Sequence, residues 1–149
     1  MGLLFGQGSL EFYPVKYYYN YIVHNTKEGG DFIMEDTLRA KLEDVGVDVA
    51  KGIQINLGNA KMFDKIFNKV IRDTSIIKLF ELENSVDHEQ IFDISHGLKG
   101  TLANAGLVEL DALVTDICET TRAGKLDGVK ENIVSMRESY NKIISCLDE

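Results

Sequence analysis

The sequence is poor in residues that interrupt helices or cross-link chains. Its single proline, Pro14, lies near the start, so no proline breaks the periodic patterns in the rest of the 149 residues. It has only two cysteines, Cys118 and Cys146, and neither has the close Cys or His neighbour typical of a metal site. We interpret them as small core residues of a reduced cytosolic protein rather than as a disulfide.

Positive charge is also scarce. The chain carries 16 Lys and Arg against 24 Asp and Glu, a formal net charge of −8. This balance argues against nucleic acid and against anionic membranes as partners, because both require a basic face. No apolar run approaches the roughly 18 residues of a membrane-spanning helix, and the first residues lack the basic and apolar regions of a signal peptide. We therefore expect a cytoplasmic protein.

The motifs of common enzyme classes are absent. The sequence has no glycine-rich nucleotide loop followed by Lys-Ser/Thr, and no Gly-x-Ser-x-Gly nucleophile motif. Kinase and hydrolase activities are therefore not expected, and we predict that the chain is not an enzyme with its own ATP site. The 44 % of apolar residues indicates instead one globular domain with a core.

The first 33 residues differ from the remainder, since they hold the only proline and show no helical period. The stretch KEGGDFIM could be encoded by a purine-rich run containing GGAGG just before the codon of Met34, as in a translated ribosome-binding site. We therefore interpret residues 1–33 as an extension that need not be native, and residues 34–149 as the domain. The alternative is a genuine N-terminal arm.

From Met34 onward the apolar pattern is helical. In AKMFDKIFNKVIRD the apolar residues Phe63, Ile66, Phe67, Val70 and Ile71 follow the i, i+3, i+4, i+7, i+8 spacing of an amphipathic helix. Similar stripes recur in the segments 88–105, 107–124 and 125–149, and Asp127 is a candidate N-cap in the last. Two shorter helical segments precede Gly58, and Gly46 is predicted to stop the first. The segment TSIIKLFELEN either continues the helix of Phe63 or starts a new one. Short loops favour antiparallel neighbours. We predict an all-α fold, an up-down-up-down four-helix bundle with a short N-terminal helical cap.

One helical stretch, DISHGLKGTLANAGL, contains a histidine, then a lysine three residues on and a glycine four residues on, and a helix interior disfavours glycine. On a helical wheel of residues 88–105, His96 lies away from the core side that Leu98 marks. Residues predicted on the face of His96 are Phe92, Asp93, Lys99, Gly100 and Ala103.

These neighbours predict an accessible imidazole. Gly100 and Ala103 leave one flank of the ring without bulky side chains, so another protein could reach a ring nitrogen. Lys99 would place a positive charge beside a phosphoryl group carried by the ring. Phe92 would supply apolar contact area for a docked partner. If access is the role of Gly100, its replacement by Gln should leave the fold intact and slow phosphotransfer.

The segment SHGLKGTLANAGL resembles the signature of histidine phosphotransfer (HPt) domains. The matching positions are Ser95, His96, Leu98, Lys99, Gly100 and Gly106, and the resemblance extends from about Met34 to the C-terminus. Ser95 stands where alanine is commoner.

The resemblance implies a phosphocarrier in bacterial two-component signalling, with His96 as the phosphoacceptor. Response-regulator receiver domains, and a hybrid sensor kinase that carries one, would be the partners. The receiver would bring Mg²⁺, so no cofactor is expected on this chain, which we expect to be a monomer. The interface should be of the transient class, below about 1,200 Å².

Two other readings remain open. Asp93-x-x-His96 has the spacing of one carboxylate–histidine pair of a di-iron bundle, although no second pair is present and His96 is predicted to face outward. The same bundle could also dock to a receiver without accepting a phosphoryl group.

Overall fold

A computed structural model of the protein describes residues 32–148, and this range is helical without a strand. It contains eight helices: α1 (Asp36–Asp44), α2 (Val49–Ile55), α3 (Ala60–Ile71), α4 (Thr74–Glu81), α5 (His88–Leu98), α6 (Thr101–Asn104), α7 (Val108–Arg122) and α8 (Val129–Asp148). The prediction of an all-α fold is confirmed for the described residues. None of their helices is long and apolar enough to cross a membrane.

Several helices begin at an Asp or Asn whose side chain caps the first turn. Asp48, Asn59, Asp73 and Asp87 each accept a hydrogen bond from a backbone N–H in the first turn of the following helix. Each satisfies one of the donors that a helix start leaves without an intrahelical partner. The cap at Asp73 shows that α3 ends and α4 begins anew, a choice that the sequence pattern left open.

Glycines end the helices where the sequence indicated. Gly46 follows α1 with φ of +98°, and its N–H donates to Glu43 while the Val47 N–H donates to Leu42. This pair of bonds is the Schellman arrangement, which requires a left-handed residue that glycine adopts without steric cost. The prediction that Gly46 stops the first helix is confirmed.

The core is continuous and lies between the longer helices. Helix α7 packs against both α5 and α8, and α4 contacts the same two helices from the other side. Phe80 of α4 meets Tyr140 of α8 edge to face, with ring centroids 5.4 Å apart, and the Tyr140 hydroxyl donates to the Ile71 carbonyl. The predicted apolar stripes supply this core. Its fully buried members include Phe63, Phe67, Ile91, Leu98, Leu102, Leu110, Val114, Ile117, Ile133, Met136 and Ile144.

Two local predictions were wrong. Residues 88–105 are not one helix, because α5 ends at Leu98 and Gly100 adopts φ of +85° before α6 begins. Asp127 is not the N-cap of the last helix. The Asn132 N–H donates to the carbonyl of Gly128, so that glycine occupies the cap position before Val129.

The predicted extension, residues 1–33, lies outside the described residues except for its last two. Phe32 stacks on Phe67 of α3 at 6.4 Å. The next buried residue, Met34, donates its backbone N–H to Asp64, and Arg39 pairs with the same carboxylate at 3.1 Å. These contacts attach the segment before α1 to α3.

Candidate functional site

His96 lies in the last turn of α5 and is exposed. The opposite side of this helix is buried through Ile91, Ser95 and Leu98. The Ser95 hydroxyl, which is fully buried, donates to the Phe92 carbonyl at 3.1 Å, so this polar group is satisfied within its own helix. The helical wheel therefore placed the histidine correctly, since residues 91–98 do belong to one regular helix.

The imidazole rests on an aromatic ring. His96 and Phe92 are one turn apart and stack with centroids separated by 5.2 Å and planes inclined by 12°. The guanidinium of Arg122, which comes from α7, lies 5.0 Å from the centroid of the same Phe92 ring. Phe92 thus contacts both the candidate acceptor and a cation of the neighbouring helix, and it is only half-buried in doing so.

Lys99 lies one turn after His96 and is ion-paired across the helix interface. Its Nζ is 3.1 Å from Oε1 of Glu119 on α7, while Oε2 of Glu119 lies 3.4 Å from Nε of Arg122. Hydrogen bonding and charge attraction from Lys99, followed by the charge of Arg122, lower the pKa of the Glu119 carboxyl below its usual value. The ammonium group of Lys99 thus lies against a carboxylate that the sequence analysis did not predict.

Open space surrounds two glycines of the motif. A Cβ built on Gly97 or on Gly100 would meet no other atom within 4 Å. Gly97 continues the regular backbone of α5, whereas Gly100 needs its positive φ to end the helix and donates its N–H to Asp111 at 2.9 Å. Gly100 therefore provides a backbone conformation that other residues rarely adopt, and it also leaves open space on the surface. Glutamine is strained at that φ, so Gly100→Gln should lower the stability of the fold as well as fill the gap.

Ala103 does not belong to the helix of His96. It lies on α6, beyond the break at Gly100, and is half-buried. A continuous helical wheel therefore cannot relate it to the histidine, and the place predicted for it on the His96 face rests on a helix that the structure breaks at Gly100.

Gly106 ends α6 and also permits a close approach. It has φ of +73°, and an added Cβ would lie 2.6 Å from the Asp48 carbonyl oxygen. The same two residues are joined by a hydrogen bond from the Asp48 N–H to the Gly106 carbonyl at 2.8 Å. This glycine therefore holds α2 against the end of the motif rather than facing a partner.

Among residues 32–148, no group of three or more His, Cys, Asp or Glu side chains could hold a metal ion. A cleft elsewhere is lined from α1, α7 and α8, including Asp44, Glu109, Glu138 and Lys142, and no residue of α5 lines it. The face of α5 thus carries an exposed imidazole, and the cation Lys99 follows it by three residues while the cation Arg122 lies over the ring on which it stacks.

No known family model, curated protein or solved structure matches this chain.

Sequence reasoning missed three residues of α7 on this side of the molecule: Asp111 bonds to Gly100, Glu119 pairs with Lys99, and Arg122 lies over Phe92. All three come from α7 and meet α5 or the break after it only through tertiary packing. The i, i+3 spacing of Glu119 and Arg122 indicates an ion pair on one helix face. Nothing in the linear pattern indicates that this pair faces Lys99.

Proposed function

We propose that this chain is a histidine phosphotransfer protein in which His96 accepts a phosphoryl group from a receiver-domain aspartate and passes it to another receiver. The observation that carries the proposal is the position of His96. It is exposed at the end of a rigid helix, beside open space at Gly97 and Gly100 and one turn from Lys99. The resemblance of its sequence motif to the HPt signature supports the same chemistry.

The proposed step needs little from this chain beyond positioning. A lone pair on an imidazole nitrogen forms the new P–N bond as the P–O bond of the acyl phosphate breaks, and the aspartate carboxylate leaves with its electron pair. Imidazole is partly neutral near physiological pH and therefore nucleophilic. Lys99 would offset charge on the phosphoryl oxygens, while the receiver would supply Mg²⁺ and the acidic pocket.

We also propose that α4, α5, α7 and α8 form the up-down-up-down bundle, with α1 and α2 as its cap. The contact pattern supports this arrangement, because each of the four helices packs against two others of the set. Contacts of α7 with α5 and with the two residues that follow α5 run in opposite order along the chain: Gly100 meets Asp111, Lys99 meets Glu119 and Phe92 meets Arg122. Such inverse pairing is that of antiparallel helices.

A transfer assay tests the function. Receiver domains are phosphorylated with ³²P-labelled acetyl phosphate and Mg²⁺, then mixed with the purified chain. We expect an acid-labile, alkali-stable label on the chain that is lost in His96→Gln. His88→Gln is the matched control, since His88 begins the same helix, and it should retain the label.

Two outcomes would contradict the proposal. Label that persists in His96→Gln would place the acceptor elsewhere. A wild-type chain that binds several phosphorylated receivers yet takes no label would favour a docking module that carries no phosphoryl group.

A further inference from the structure

Glu119 joins two cations, Lys99 and Arg122, on the side of the molecule that carries the candidate acceptor. Its two carboxylate oxygens are divided between them, Oε1 to Lys99 and Oε2 to Arg122. Lys99 follows His96 by one helical turn, and Arg122 lies over the ring on which His96 stacks. Both cations therefore have a counter-ion before any phosphoryl group arrives.

A phosphoryl group on His96 would compete for the same cations. It carries a charge of about −1.5 to −2 and three strong acceptor oxygens, against the single charge of Glu119. The three ion-paired side chains are all well exposed, at 39 % for Lys99, 50 % for Glu119 and 49 % for Arg122. Exposed pairs are weak and exchange partners at little cost, so the cations can turn from one anion to the other.

We propose that Glu119 is an internal counter-anion that occupies Lys99 and Arg122 in the unphosphorylated protein and is displaced from them by the phosphoryl group on His96. This inference rests on the proposed function, because it assigns a role at the same site. Its consequence is that Glu119 lowers the stability of the phosphorylated form. Phosphorylation must first break an existing ion pair.

The inference can be tested without a receiver. Phosphoramidate transfers its phosphoryl group directly to an exposed imidazole: the P–N bond of the reagent breaks, ammonia leaves, and a P–N bond to the ring forms. After the reagent is removed, the ³¹P resonance of phosphohistidine reports the loss of the group to water. Hydrolysis passes through a loose transition state in which the phosphoryl group is metaphosphate-like. Cations bound to the phosphoryl oxygens therefore stabilise the ground state more and slow the loss.

Glu119→Gln should lengthen the lifetime of the phosphohistidine about two- to fivefold, the range that release of a weak exposed pair allows. Lys99→Met should shorten that lifetime. In the Lys99→Met background, Glu119→Gln should lengthen the lifetime by a smaller factor than it does in the wild type. Glu43→Gln is the control for net charge, because Glu43 is an exposed carboxylate on α1, a helix that packs against α2 and α8. It should leave the lifetime unchanged.

Different results would contradict the counter-anion role of Glu119 and the proposed phosphotransfer function. If Glu119→Gln decays at the wild-type rate, or if Glu43→Gln lengthens the lifetime equally, the counter-anion role is wrong while transfer from receivers is unaffected. If phosphoramidate labels His96 and the variants behave as expected but no receiver transfers to it, the proposed function fails and the counter-anion role stands. A thermal unfolding midpoint of Glu119→Gln that changes only by the small amount expected for an exposed ion pair separates either result from a structural effect.

Discussion

Individual side chains at the site were predictable to different degrees. The exposure of His96 followed from its angle to Leu98 within one regular helix. The sequence placed Phe92 on the same face, but it predicted contact with a docked partner and not the stacking on the His96 ring. The partner of Lys99 did not follow, because Glu119 is 20 residues distant and reaches it only through the packing of α5 on α7. A charge is visible in a sequence, but its counter-ion is decided by the fold.

The ion pair between Lys99 and Glu119 predicts a measurable titration. Since Lys99 is the main cause of the lowered pKa of Glu119, Lys99→Met should move that pKa up towards the usual glutamate value. Carbon-detected NMR of the side-chain carboxyl would follow it. A titration midpoint that is the same in Lys99→Met and in the wild type would show that the pair is not formed in solution.

The lowered pKa of Glu119 determines how its ion pairs change the stability of the protein with pH. The folded-state pKa lies below the unfolded one, so the ionised carboxyl stabilises the folded state above the unfolded pKa. That contribution is lost as the pH falls through the lowered pKa. The difference in unfolding free energy between wild type and Glu119→Gln should thus be constant near neutral pH and decline only in acid. It should be small, because the pair is exposed.

At the scale of elements, the break between α5 and α6 is the main departure from the sequence prediction. The apolar residues on both sides of it, Leu98 and Leu102, keep a helical spacing, and both are buried as expected. The spacing alone therefore favoured one helix. The chain breaks at Gly100 because glycine can take the positive φ there and its N–H finds an acceptor in Asp111.

Two glycines of one motif should respond oppositely to alanine. Gly97→Ala should raise the unfolding free energy by about 1 kcal/mol, since the site is helical, open and gains helix propensity. Gly100→Ala should lower it by about 1–2 kcal/mol, since the residue is left-handed. Chemical denaturation of both variants checks this. Equal effects of the same sign would mean that α5 continues through Gly100.

At the scale of the whole molecule, two glycines without side chains allow α2 to pack closely against the rest of the domain. A Cβ on Gly52 would lie 2.7 Å from Cδ1 of the buried Phe63 ring and nearer still to Cε1, and Gly106 touches the backbone of Asp48. The same ring therefore fixes how near α2 can come to α3. The sequence does not distinguish these two glycines. Gly52 makes room for the Phe63 ring, whereas Gly106 both makes room for the Asp48 backbone and ends a helix.

The contact between Gly52 and Phe63 predicts non-additive mutations. Gly52→Ala should destabilise the protein by about 1–3 kcal/mol through overpacking. In a Phe63→Leu background the added methyl group should cost less, because the smaller side chain leaves room. A double-mutant cycle of unfolding free energies measures the coupling. Strict additivity would show that the two residues do not touch as described.

The sequence by itself determined the helical class, the core stripes, the Gly46 stop and the outward direction of His96. Each of these depends on interactions within a few residues, through helical periodicity and the conformational freedom of glycine. Only the tertiary structure decided that Glu119 and Arg122 face Lys99 and Phe92, that Asp111 caps the break at Gly100, and that α2 lies against Gly106. Those contacts join residues far apart in the chain, and helical spacing carries no information about which helices become neighbours.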